Sequence, residues 1–67
     1  MRARPKYIPE GDWCLVEYKQ PVLPAEIDEA KLVKAVSRKM GCAMILDWHY
    51  ITGDGLIYAI DFLRRGA

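Results

Sequence analysis

The sequence predicts an α+β fold in which one helix packs on a three-stranded antiparallel sheet, in the order β-α-β-β. Three patterns support this prediction: a strand-favouring segment at residues 13–19, helical periodicity over residues 25–40, and two alternating segments within residues 42–63 that a glycine-containing turn joins. A length of 67 residues allows a single domain. We place that domain at residues 12–67.

Residues 1–11 are expected to form an extended basic N-terminal arm outside the sheet. Arg2, Arg4 and Lys6 lie there among two prolines, and proline has no amide hydrogen to donate to a strand ladder. The first strand then begins at Trp13, where aromatic and β-branched residues become frequent.

Residues 25–40 are predicted to form the helix. Val33, Val36 and Met40 recur at spacings of three and four, which places them on one side of a helix. Gly41 follows the last of these positions, and glycine commonly ends a helix because it adopts the left-handed conformation without strain.

Residues 42–51 and 56–63 are predicted to pair as a hairpin. The segment 53–55 fits a three-residue loop with glycine in its last, left-handed position, and this loop pairs Thr52 with Leu56. In that register the even-numbered residues share one face, which we expect to be the core under the helix. These residues are Cys42, Met44, Leu46, Trp48, Tyr50, Leu56, Tyr58, Ile60 and Phe62.

A right-handed crossover would lay the helix over that even-numbered face. The first strand is then expected beside the third, which gives the spatial order 2-3-1. This arrangement resembles the first half of a ferredoxin-like fold without the second helix and fourth strand of that fold. The resemblance is architectural and implies no activity.

Composition and motifs argue against several functional classes. The formal net charge of +1 is too small for nucleic-acid binding through bulk charge alone. The sequence has no apolar run of membrane-spanning length and no signal-peptide core at its start, so we expect a cytoplasmic protein with free thiols at Cys14 and Cys42. Common nucleotide, protease, hydrolase and zinc motifs are absent, and we therefore expect no enzyme activity, cofactor or small-molecule substrate.

One helix covers only one face of a sheet, and the other face keeps apolar side chains at odd-numbered positions. The expected interface residues are Trp13, Leu15, Ile45, Ile51, Ile57 and Leu63. Our leading hypothesis is a small non-enzymatic interaction module that homodimerises or docks on a protein partner through this face. Small size and scarcity of motifs suggest an analogy with phage- or plasmid-encoded modulators that inhibit a host machine. In the alternative, residues 1–11 fold across the face, with Tyr7 and Ile8 covering part of it.

Nucleic-acid binding is the second hypothesis, because basic residues occur both in the arm and along one side of the helix. The candidate contacts are Arg2, Arg4, Lys6, Lys31, Lys34 and Arg38. The alternative explanation is a solvated helix face with loose chain ends.

Asp47, His49 and Asp61 form a third candidate site, this time for a metal ion or acid–base chemistry. The predicted register places Asp47 opposite Asp61, with His49 two residues along the same face. Two close carboxylates and an imidazole are suitable ligands for a divalent cation. The alternative is that they are ordinary polar residues on a half-exposed sheet, and our prediction remains that the protein binds no metal.

Overall fold

A computed structural model describes residues 4–66, so Arg2 of the expected arm lies outside the described residues. The elements are β1 (Pro5–Glu10), β2 (Trp13–Val22), a 3-10 turn (Pro24–Glu26), α1 (Glu29–Met40), β3 (Met44–Ile51) and β4 (Ile57–Arg64). The four strands form one sheet in the order β1-β2-β4-β3, and every neighbouring pair is antiparallel. The α+β class is confirmed.

The prediction of a three-stranded sheet is wrong, because residues 5–10 form a strand and not a free arm. β1 pairs with β2 from Pro5 to Glu10 through a two-residue turn, in which Gly11 has a φ of 59°. Pro5 and Pro9 of β1 are four residues apart, so the backbone groups of both are directed toward the same edge of the strand. We infer that this is the outer edge, away from β2, because a strand tolerates proline where no hydrogen bond to a neighbouring strand is made.

The helix is shorter than predicted and begins at Glu29 instead of Ala25. Asp28 caps it by accepting a hydrogen bond from the Lys31 backbone N–H at 3.2 Å. Gly41 ends it as predicted, with a φ of 74° and its N–H donated to the Ser37 carbonyl. The preceding residues form only the single 3-10 turn, although they include the acidic residues typical of a helix start.

The loop between β3 and β4 agrees with the prediction. The Thr52 N–H donates to the Leu56 carbonyl at 2.7 Å, and Gly55 has a φ of 80°. Beyond the loop, two irregularities change the register. Tyr58 is an extra residue on β4, and Asp47 is an extra residue on β3. Each bulge moves the side chains that follow it to the other face of the sheet.

The core lies between α1 and one face of the sheet, where buried side chains from α1, β2, β3 and β4 form one cluster. Its members are Cys14, Val16, Leu32, Val36, Met44, Ile57, Ile60 and Phe62. Phe62, Ile60, Val16 and Val36 are the largest apolar side chains that are fully buried. Burial of each such side chain contributes roughly 1.5–3 kcal/mol before entropy costs.

Because of the two bulges, the expected division of the hairpin into even and odd faces is only partly correct. Met44 and Phe62 lie in the core as predicted, whereas Trp48 pairs with Asp61 on the opposite face. The expectation for Ile57 is wrong: it is only 6% exposed and belongs to the core. Ile51 pairs with Ile57 and shares its face, but it remains 58% exposed.

The substitutions Ile57→Lys and Ile45→Lys compare a position in the core with an exposed position on the opposite face of the sheet. Ile57→Lys places a charge in the core and should destabilise the protein by about 4 kcal/mol, enough to unfold a domain of this size. Ile45→Lys changes an exposed side chain and should retain the far-ultraviolet circular dichroism and melting transition of the parent protein. Equal stability of the two variants in thermal denaturation would contradict this assignment.

Candidate interaction surface

The sheet face turned away from α1, called the open face below, carries three rows of side chains that cross all four strands. The first row is Glu10, Trp13, Leu63 and Ile45; the second is Ile8, Leu15, Asp61 and Trp48; the third is Lys6, Glu17, Ala59 and Tyr50. The order within each row follows the strand order, because directly paired residues project to the same side.

Six residues in the first two rows form a continuous apolar patch. They are Ile8, Trp13, Leu15, Ile45, Trp48 and Leu63. Trp48 is 63% exposed and Trp13 is 48% exposed, while Leu15 and Leu63 are half-buried between neighbours. Four predicted interface residues therefore lie in the patch, whereas Ile51 and Ile57 do not. Ile8 and Trp48 were missed, because the sequence showed neither the pairing of β1 nor the bulge at Asp47.

The first residues of the described chain do not cover this patch. β1 lies beside β2 and widens the sheet, with Ile8 next to Leu15 on the open face. Tyr7 pairs with Val16 and lies on the α1 side, where it packs against the core. The alternative in which residues 1–11 fold across the open face is therefore wrong for the described residues 4–11, which extend the sheet.

A buried carboxylate lies at the centre of the apolar patch. Asp61 is only 6% exposed, and it accepts a hydrogen bond from the Tyr50 hydroxyl at 2.5 Å. The Tyr50 ring also contacts Tyr58, with ring centroids 5.9 Å apart. The hydrogen bond to Asp61, followed by burial and nearby negative charge, raises the pKa of Tyr50. The phenol thus remains a donor to the carboxylate at neutral pH.

The expected cluster of Asp47, His49 and Asp61 does not form. The bulge at Asp47 leaves Trp48 opposite Asp61, and His49 lies opposite Ile60 on the α1 side. There the His49 Nε2 is 3.5 Å from a carboxylate oxygen of Glu29. Residues 4–66 contain no group of three or more His, Cys, Asp or Glu side chains placed to hold a metal ion.

The basic residues are divided between the two sides of the sheet. Lys31, Lys34 and Arg38 are exposed on α1, whereas Lys6 pairs with Glu17 and so lies on the open face. Arg4 is exposed just before β1. Within residues 4–66, Lys6 and the basic residues of α1 therefore do not form one continuous surface, and each group would have to contact nucleic acid separately.

A groove of about 890 Å³ lies on the α1 side, between the β1–β2 hairpin and the start of the helix. Tyr7, Tyr18, Ile27 and Leu32 supply its apolar lining, and Lys31 lies on its helical wall. Burial and the neighbouring Tyr7 raise the pKa of Tyr18. Sequence reasoning missed this groove because it requires the unpredicted fourth strand.

Comparison with known proteins gives no relative: no family model matches the chain, and neither the curated proteins nor the solved structures yield a match. Within residues 4–66, no helix combines the length and hydrophobicity needed to cross a membrane.

Replacing Asp61 by Asn should lower the pKa of Tyr50 toward the ordinary tyrosine value of about 10, because the neutral amide no longer favours the protonated phenol. The titration can be followed by ultraviolet absorbance or by the ring resonances of Tyr50. Because the folded-state pKa is raised, this interaction stabilises the fold fully below about pH 10 and is lost as the pH rises through the folded-state pKa.

The variant Asp61→Asn should consequently lose less stability than the parent protein when the pH is raised through this alkaline range. Tyr18→Phe is a suitable control, since it removes another tyrosine with a raised pKa that makes no contact with Asp61. An unchanged Tyr50 titration in Asp61→Asn would contradict the assigned cause.

Proposed function

We propose that this chain is a small non-enzymatic interaction module that binds a protein partner, a second copy included, through the open face. The observation that supports the proposal is the apolar patch, in which Trp13 and Trp48 remain about half exposed or more. The largest continuous apolar patch on a monomeric protein often has a function, and larger exposed patches with a polar rim mark interaction sites.

Covering the patch would contribute a favourable hydrophobic term to binding. At ~25 cal/mol per Å², covering several hundred Å² contributes on the order of 10 kcal/mol before the costs of association. Tryptophan dominates the energetics of many interfaces because its large rigid ring fills a pocket at low entropy cost. Trp13 and Trp48 lie in different rows and on different strands, so they would anchor a partner at two separate points.

The surroundings of the patch also suit a protein partner. Glu10, Lys6 and Glu17 lie at the β1 side of the open face, where they would provide a charged rim. Asp61 is already paired with Tyr50 inside the patch, so a partner need not satisfy an isolated buried charge. A partner that displaced Tyr50 would lose this pairing, which favours partners shaped to leave it intact.

The analogy with phage- or plasmid-encoded modulators of a host machine remains a prediction based on size and lack of motifs. Nucleic-acid binding remains the alternative prediction. It would be recognised by retention on heparin that weakens steeply with salt and that Lys31→Glu together with Lys34→Glu abolishes.

The variant Trp13→Lys tests the proposal, because it places a charge in the middle of the first row. We expect association through the open face to weaken by about 30-fold or more, the effect of losing an interface anchor worth about 2 kcal/mol. Binding to itself is measured by light scattering over a concentration series, and binding to another protein by the set of proteins that the immobilised chain retains from a lysate.

Leu23→Lys is the matched control, since Leu23 is also an exposed apolar residue but lies outside the three rows. It should behave as the parent protein does, and circular dichroism should show both variants folded. If Trp13→Lys leaves the mass and the retained proteins unchanged, the open face is not the binding surface.

A further inference from the structure

The two edges of the sheet differ in their ability to pair with another strand. At the β1 edge, Glu10 and Trp13 are the first paired residues after a two-residue turn, so the backbone N–H and C=O groups of Glu10 are directed toward β2. Because this direction alternates along a strand, the backbone groups of Pro5, Tyr7 and Pro9 are directed outward. Proline has no amide hydrogen, so this edge offers a single N–H donor, from Tyr7. Such an edge is poorly suited to accept a further strand.

The β3 edge has no proline and presents free donors. The Thr52 N–H donates to the Leu56 carbonyl and is therefore directed toward β4. Because successive residues of a strand direct their backbone groups to alternate edges, the N–H and C=O groups of Ile51 and His49 are directed away from β4. After the bulge at Asp47, residues 48–51 of β3 contain no further inserted residue, and β3 is the last strand of the described sheet, so its outer edge pairs with no other strand there.

The side chains of β3 favour the same conclusion. Trp48 and Ile51 are the two most exposed large apolar side chains of the described residues, at 63% and 58%. They lie on opposite faces of the same edge strand, because Trp48 pairs with Asp61 on the open face and Ile51 pairs with Ile57 on the α1 side. A partner on either face can cover only one of them, whereas a strand placed alongside β3 lies next to both.

We propose that β3 pairs edge to edge with β3 of a second copy, antiparallel about a two-fold axis near Tyr50, to form a continuous eight-stranded sheet. This register aligns His49 of each copy with Ile51 of the other. Both residues direct their N–H and C=O groups outward, so each aligned pair exchanges two hydrogen bonds. The bulged Asp47 carboxylates then lie at opposite ends of the paired segment, where they do not repel each other.

A second copy is the partner that fits this edge best. The β3 strand has the unprotected donors and acceptors that its partner must also have, and a two-fold axis uses them identically in both copies. The formal charge of +1 per chain gives little repulsion between copies. The pairing does not depend on binding through the open face, but it would place two apolar patches side by side in one sheet.

Amide hydrogen exchange, read residue by residue by NMR, tests the pairing directly. As the protein concentration is raised and the mass doubles from 7.7 kDa, exchange of the His49 and Ile51 amides should slow by more than tenfold. The Tyr7 amide on the opposite edge is the internal control and should exchange at an unchanged rate. Unchanged exchange of His49 and Ile51 in a dimer would overturn the proposal.

Two variants distinguish pairing at the β3 edge from association through the open face. Ile51→Lys should shift the chain to monomers, and Trp13→Lys should leave the dimer intact, because Trp13 lies two strands away from β3. Backbone N-methylation of Ile51 in a synthetic chain removes one donor without changing the side chain, and it should also give monomers. Circular dichroism checks that all three remain folded.

The opposite result, in which Trp13→Lys gives monomers and Ile51→Lys does not, would overturn edge pairing while supporting association through the open face. A parent protein that stays at 7.7 kDa up to about millimolar concentration would overturn the β3 pairing and leave docking on another protein untouched. Slowed exchange of the His49 and Ile51 amides only when a different protein is added would also overturn the assignment of a second copy.

Discussion

The fold depends on one geometric constraint, which is that a single helix covers only one face of a sheet. The helix α1 has twelve residues and is therefore about 18 Å long and roughly 10 Å wide, whereas four strands span about 19 Å. The helix buries the side chains beneath it and leaves a groove beside the β1–β2 hairpin. The opposite face receives no cover from α1. Both features follow from the small number of layers that a chain of this length can form.

The composition of the open face depends on a single inserted residue. Without the bulge, Asp47 would lie opposite Asp61, and two carboxylates would meet at the centre of the face. The bulge at Asp47 places Trp48 there instead and moves His49 to the α1 side, near Glu29. Asp61 is then left as a buried carboxylate paired with Tyr50. A register shift of one residue thus replaces the expected cluster of polar side chains by an apolar surface, in which the one buried carboxylate, Asp61, is hydrogen-bonded to Tyr50.

The edges of the sheet show how the same residue type acts differently according to position. The prolines at positions 5 and 9 favour an arm outside the sheet, yet their spacing of four residues places both at the outer edge of β1, where no amide donor is needed. The prolines permit pairing of β1 with β2 and hinder pairing of β1 with a further strand at its outer edge. The β3 strand has no proline, and its regular segment follows the bulge. The sheet is consequently protected from pairing with a further strand at its β1 edge and unprotected at its β3 edge.

The sequence by itself determined the presence of the helix and its end at Gly41, although not its start, together with the three-residue loop before Leu56 and the α+β class. These features depend on spacing and turn chemistry within a few residues. Tertiary structure alone decided the pairing of β1 and the two bulges at Asp47 and Tyr58. Those features depend on contacts between distant strands, where a shift of one residue changes the faces but leaves the local pattern of the sequence unaltered. The apolar patch was therefore predictable in kind, while Ile57, Ile8 and Trp48 were assigned correctly only by the three-dimensional fold.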